Sequence, residues 1–209
     1  MKTMLRMAVL ALALAWGGAL NCLADTPEAA PVTALNTALL ATMKAGSAGA
    51  GFQARYNALE PVVKQSFNLP VVEQNSVGFL WSTIPAAQQQ ELSVVFEQFT
   101  VASYVSQFTS YHGEQITLLP GEKTLGAKKI VETQIIPGDG SAPTELDYVV
   151  TNGPAGWQIT DVLLNGTISQ VAVHSSDFSA LVSAGDASQL ISALKDKTNM
   201  LSSVSSGHQ

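Results

Sequence analysis

Apolar positions recur at helical spacing up to about residue 111, alternate with polar ones from Gln115, and return to helical spacing near the end of the chain. A first helix is predicted over Val32 to Lys44, with Leu35, Leu39 and Met43 on one face. A second covers Phe52 to Phe67, with Phe52, Tyr56, Leu59, Val63 and Phe67 in register and Pro61 predicting a kink or a break. Between them Ala45 to Gly51 reads as a flexible turn, because its glycines are in the wrong order for a dinucleotide fingerprint. Asn68-Leu69-Pro70 restarts the chain for a short helix over Val71 to Leu80, which leads to Trp81.

Ser82-Thr83-Ile84-Pro85 supplies cap residues and a first-turn proline, so a long helix is expected over Pro85 to Tyr111, ~27 residues and roughly 40 Å. Its polar positions Ser93, Glu97, Thr100 and Gln107 form one narrow stripe, and both flanks are apolar. Such a helix is buried on two sides, and it can pack a core on one flank while walling a cavity on the other.

Four strands are then expected: Gln115 to Leu119, Lys128 to Pro137, Glu145 to Thr151 and Trp157 to Leu164, joined by links rich in Pro and Gly. Thr167 to Val173 either extends or crosses the sheet, and Asp177 to Ala184 and Ala187 to Met200 read as closing helices. Helices, then a meander, then helices predict an α+β fold, a curved antiparallel sheet of about four strands packed on several helices. In the last strand Asp161 shares an apolar row with Trp157, Ile159 and Leu163. A carboxylate there needs a partner, and Arg55 is one candidate.

Residues 1–24 combine Lys2 and Arg6, an apolar run and small residues before Ala24, the pattern of a cleaved secretory signal; the apolar run is short for a membrane span. Cleavage removes the one cysteine, excluding disulfides and thiolate chemistry from the mature chain, and leaves eight basic residues against sixteen acids, a net charge of −8. That balance disfavours nucleic acid as a partner. One domain over residues 25–200 and a loose Ser-rich tail over 201–209 complete the expected organisation.

The three histidines, His112, His174 and His208, have no metal-site spacing, so no metal is expected. His174-Ser175-Ser176-Asp177 contains the residue types of a triad as sequence neighbours, without a nucleophile elbow. Ser192-Ala193-Leu194-Lys195 matches an acyl-serine motif that lacks its companions, and Gly121-Glu122-Lys123-Thr124 lacks the upstream glycine of a phosphate loop. Asn165-Gly166-Thr167 is a glycosylation sequon. No catalytic residue, cofactor or enzymatic activity is expected. The aromatic and branched residues of the long helix and the sheet either pack solid or leave a pocket, since both use the same residue types.

Phe52-x-x-Arg55, Leu59-x-Pro61, Phe67, Gly78-x-x-Trp81, Phe96-x-x-Phe99, Tyr104, Tyr111-x-Gly113, Trp157-x-Ile159-x-Asp161-Val162, Gly166 and Phe178 resemble, in order and spacing, the toluene-tolerance or MlaC family of periplasmic lipid-binding proteins. Asn68-Leu69-Pro70, Thr100 to Tyr104 and Gly166 to Gln170 are similar to its hopanoid-associated HpnM branch. The resemblance spans about Leu35 to Lys197. One stretch departs: His174-Ser175-Ser176 stands where relatives often carry arginine.

The resemblance implies a periplasmic protein, of NTF2-like fold, that carries a phospholipid or a hopanoid in an apolar cavity. It also implies an inner-membrane ABC transporter complex and an outer-membrane lipoprotein complex as partners. On that reading the cavity lining is expected to be Trp81, Leu92, Val95, Phe96, Phe99, Val131, Ile135, Tyr148, Val150, Ile159 and Leu163, in a monomer. The competing expectation is an adaptor domain with a solid core that binds a protein partner.

Overall fold

The computed structural model describes residues 26–121 and 123–204; the expected signal segment and residues 205–209 lie outside them. Helix α1, Ala30–Ser47, takes Pro31 in its first turn and buries Val32, Leu35, Leu39 and Met43. It runs three residues beyond Lys44 because the first glycine of the following run is helical: a Cβ on Gly46 would lie 1.9 Å from the Thr109 carbonyl oxygen. That glycine serves close chain approach, not flexibility. Helix α2, Phe52–Ser66, stays continuous through Pro61. Helix α3, Leu69–Val77, is capped by the Asn68 side chain, which accepts from the Val71 amide at 3.3 Å, and a 3-10 helix, Gly78–Thr83, follows it.

Helix α4 spans Ala86–Gln107, 22 residues rather than 27. Its end is fixed from outside: the buried Arg55 guanidinium donates to the carbonyls of Val105, at 2.9 Å, and Phe108, at 3.4 Å. A cation on the last free carbonyls stops and stabilises a helix C-terminus. Arg55 is therefore a cap of α4 and not the mate of Asp161.

The sheet is antiparallel and has seven strands, not four: β1 Gln115–Leu118, β2 Lys123–Leu125, β3 Lys128–Val131, β4 Thr133–Ile136, β5 Thr144–Gly153, β6 Gly156–Leu164 and β7 Ile168–Ser169. The expected strand over Lys128 to Pro137 breaks at Glu132 into β3 and β4, both of which pair with β5. The other edge of β5 pairs with β6, so β5 is central, and Tyr148 and Val150 on it are fully buried. The Tyr148 hydroxyl donates to Asn36 of α1 at 3.3 Å, tying sheet to helices. At the sheet's far side the turn after β6 puts Asn165 and Gly166 at φ 52° and 68°, as Asn-Gly allows.

The register of β5 against β6 slips once: Val149 faces Asp161 but Val150 faces Ile159, leaving Thr160 as the extra residue of a bulge. One extra residue exchanges the two faces of everything beyond it. Ile159 packs in the core, and past the bulge Val162, not Leu163, continues that row.

Helix α5 is Gln170–Phe178, and Asp177 lies in its last turn and not at the start of a helix as expected. Helix α6, Ser188–Val204, continues four residues past Met200, into the stretch expected to be loose. Among the described residues no helix is long and apolar enough to cross a membrane.

Candidate lipid-binding cavity

The first half of α4 is closed over. Gln88 accepts from the Ala187 amide at 2.8 Å, Lys195 of α6 reaches Glu91 at 2.6 Å, and the Ser93 hydroxyl donates to Glu73 of α3 at 2.7 Å. Along its second half the packing parts and leaves a cavity of about 420 Å³ between α4, α5, α6 and the sheet. That volume is in the range of small-molecule sites, roughly 300–1,000 Å³. Phe96, Phe99 and Tyr104 of α4 with Phe108 just past its end form one wall, Ile135, Leu146, Val162 and Leu164 of the sheet another, Val171 and His174 of α5 a third, and Leu201 of α6 a fourth.

Of the eleven residues expected to line a cavity, Phe96, Phe99 and Ile135 do so. Leu92, Val95, Val131, Tyr148, Val150 and Ile159 are brought together instead in the packed core, none more than 7% exposed. Leu92 and Val95 belong to the closed half of α4, and Val131, Tyr148, Val150 and Ile159 to the sheet centre that the helices cover. Trp81 packs on the core from the 3-10 helix without reaching the cavity. Leu163 is moved off the cavity face by the bulge, where it pairs with Asp147 and Ser169. Residues that pattern reading missed include His174 and the pair Lys197 and Leu201. Their spacing carried a signal, because i, i+4 places His174 over Phe178 and Lys197 beside Leu201.

Asp161 is positioned by the strand end and in turn positions α5. Its Oδ1 accepts from the backbone amides of Val162 at 2.8 Å and Val171 at 3.1 Å, and its Oδ2 accepts from the Ser169 hydroxyl at 2.5 Å. Ser169 itself caps α5 by accepting from the Ala172 amide at 3.0 Å. The carboxylate thus holds two donors of a helix N-terminus, where negative charge is favoured. The consequence is that Val171 and His174 are set against the cavity.

His174 has no hydrogen-bonded hydroxyl or carboxylate among the described residues. Its ring stacks on Phe178, with centroids 5.2 Å apart and an interplanar angle of 11°, and meets Phe96 and Phe99 edge-on. Burial lowers its pKa and favours the neutral imidazole, which packs as an aromatic part of the cavity wall. Tyr104, between Phe67 and Phe108, has its pKa raised by burial. Among the described residues neither side chain makes a hydrogen bond to a serine or threonine hydroxyl.

The carboxylates of Glu132, Glu145 and Asp147 cluster elsewhere, with oxygens within 4.8 Å of one another. Strand alternation puts Glu145 and Asp147 on the opposite face from Leu146 and therefore away from the cavity. Lys123 pairs with Glu132 at 2.5 Å, and burial pushes Asp147 up to about 6.

A family model described as MlaC protein matches residues 33–196. The chain belongs to the MlaC family. A phospholipid-binding protein from Ralstonia solanacearum, solved in complex with a phospholipid, is similar to this chain in fold, with a TM-score of 0.71 at 20% identity over 83% of this chain and 98% of that one. No curated protein matches the sequence significantly. At that identity the solved structure speaks for the fold, and the cavity in this MlaC-family chain is described by its own residues.

Proposed function

We propose that this protein is a periplasmic lipid carrier that shelters the acyl portion of a phospholipid in the cavity beside α4. The observation that carries the reading is an apolar cavity of about 420 Å³, walled by side chains of four elements, in a chain of the MlaC family. The mechanism is desolvation: each Å² of tail surface leaving water contributes about 25 cal/mol, and no bond is made or broken. The tails lie against Phe96, Phe99, Leu146 and Val162 and reach solvent near Leu164 and Lys197. The helix-covered sheet is read as NTF2-like, and the carrier serves exchange between an inner-membrane ABC transporter complex and an outer-membrane complex. A hopanoid is the second ligand class, suggested by the resemblance of Gly166 to Gln170 to the hopanoid-associated branch.

Native mass spectrometry of protein purified from its own periplasm tests this. A stoichiometric adduct is expected, and its mass distinguishes phospholipid from hopanoid. Repeated recovery of empty protein that takes up no lipid from vesicles would refute the carrier reading in favour of a solid-core adaptor.

A further inference from the structure

The polar stripe of α4 changes partners along its length. As far as Glu97 its side chains are satisfied within the protein, Ser93 by Glu73 at 2.7 Å and Glu97 by Lys64 at 2.9 Å. Beyond it the Thr100 hydroxyl bonds back to the Phe96 carbonyl at 2.8 Å, whereas the side chains of Gln107 and of Ser103 and Ser106 beside the stripe line the cavity and, among the described residues, make no hydrogen bond to the protein. Facing the same cavity from α6 is Lys197, exposed at the margin. Lys64, Lys123 and Lys195 are each paired with a glutamate, whereas Lys197 has no ion pair among the described residues. The other charged group on the lining, Asp161, has its oxygens occupied by Ser169, Val162 and Val171.

One cation and three uncommitted hydrogen-bonding side chains therefore meet at one cavity whose remaining walls are largely apolar. Donors beside a cation complement an oxyanion, and charge-assisted hydrogen bonds are the stronger kind. An alkyl chain complements the rest. We propose that Lys197, with Ser103, Ser106 and Gln107 opposite, binds the phosphate of a lipid headgroup and so fixes which end of the lipid faces solvent. The proposal rests on the carrier reading above and adds selectivity to it: lipids bearing a phosphate are held in preference to neutral lipids with the same tails.

The test compares dioleoylphosphatidylglycerol with dioleoylglycerol as ligands of the unsubstituted protein, Lys197→Gln and Lys197→Arg. Lys197→Gln is expected to weaken the phospholipid about tenfold, the effect of losing one charge-assisted bond at a half-open site, while leaving dioleoylglycerol unchanged. Lys197→Arg is expected to restore the preference. Inorganic phosphate alone should show no saturable binding, since the tails supply most of the affinity. Equal loss for both lipids, or no loss for either, would overturn the headgroup assignment while leaving the carrier reading intact. Saturable binding of free phosphate would assign the site to an inorganic anion and overturn it too. Failure of the unsubstituted protein to take up either lipid would overturn the carrier reading, and this proposal with it.

Discussion

Replacing Asp161 separates its role as an anchor of α5 from any role in recognising a ligand. Its carboxylate accepts three hydrogen bonds, from the amides of Val162 and Val171 and the hydroxyl of Ser169. A hydrogen bond contributes about 1 kcal/mol net, and more when one partner is charged, but Asp161 is only half-buried, so the lower figure applies to each. Asp161→Ala loses all three and is expected to cost ~3 kcal/mol. Asp161→Asn keeps an oxygen for the two amides but turns the Ser169 hydroxyl from a donor to carboxylate into a group facing another donor, a loss of about 1 kcal/mol. For a chain of this size each kcal/mol moves Tm by about 2–4 °C, so the expected falls are roughly 6–12 °C for Ala and 2–4 °C for Asn. Hydrogen exchange should locate the loss in Gln170 to His174. Combining Asp161→Asn with Ser169→Ala should cost less than the two changes added separately, because they remove the same bond. Equal melting of the Ala and Asn variants would refute this account. So would normal melting joined to altered lipid choice, which would make Asp161 a ligand contact.

Further expectations follow from other sites. Phe99→Trp adds ring volume to the cavity wall at a half-buried position, so lipid uptake from vesicles should fall steeply with Tm nearly unchanged; full loading would show that the tails lie elsewhere. Burial pushes Glu73 up to about 7, with the Ser93 hydroxyl opposing the shift. The folded state therefore holds a proton that the unfolded chain releases near 4.5, and Glu73's contribution to stability, full below that pH, is lost as pH rises through about 7. Glu73→Gln should be more stable than the parent at pH 8 and lose less stability between pH 5 and pH 8 in urea titrations, and an unchanged pH slope would contradict the assignment. Arg55→Ala should cost about 2–3 kcal/mol by freeing the carbonyls at the end of α4, read as faster hydrogen exchange over Tyr104 to Phe108.

Much of the architecture was legible because it depends on local chemistry. Asn68 and the Ser82 to Pro85 segment mark helix starts, and the alternation of Leu146, Tyr148 and Val150 marks a strand whose inner face packs on the helices, whereas Pro31, read with the lead before the first helix, lies inside α1. What was not legible depends on contacts between distant residues. Nothing near Phe108 announces that α4 must stop there, because the cap is Arg55, far back in the chain. Gly46 looks like part of a flexible run until Thr109 is seen against it. The cavity lining was the least legible: Tyr148, Ile159 and Phe99 are equally apolar, and which of them meets empty space is decided by how far α6 leans over α4. Leu163 was misplaced for a sharper reason, since one unpaired residue at Thr160 reverses a parity that the sequence pattern assumes to be constant.

That unpaired residue lets a single strand serve two separate purposes. Upstream of Thr160, Ile159 belongs to the core, and changes there alter how firmly the protein holds its shape. Downstream, Val162 and Leu164 border the cavity, and changes there alter what it can hold. Shape and capacity are thereby made separable along β6, since a side chain such as Leu164 can be exchanged without reopening the centre of the sheet. Deleting Thr160 would join the two halves again, turning Leu163 inward and Val162 outward in one step, a larger disturbance than exchanging any one side chain at the cavity's border.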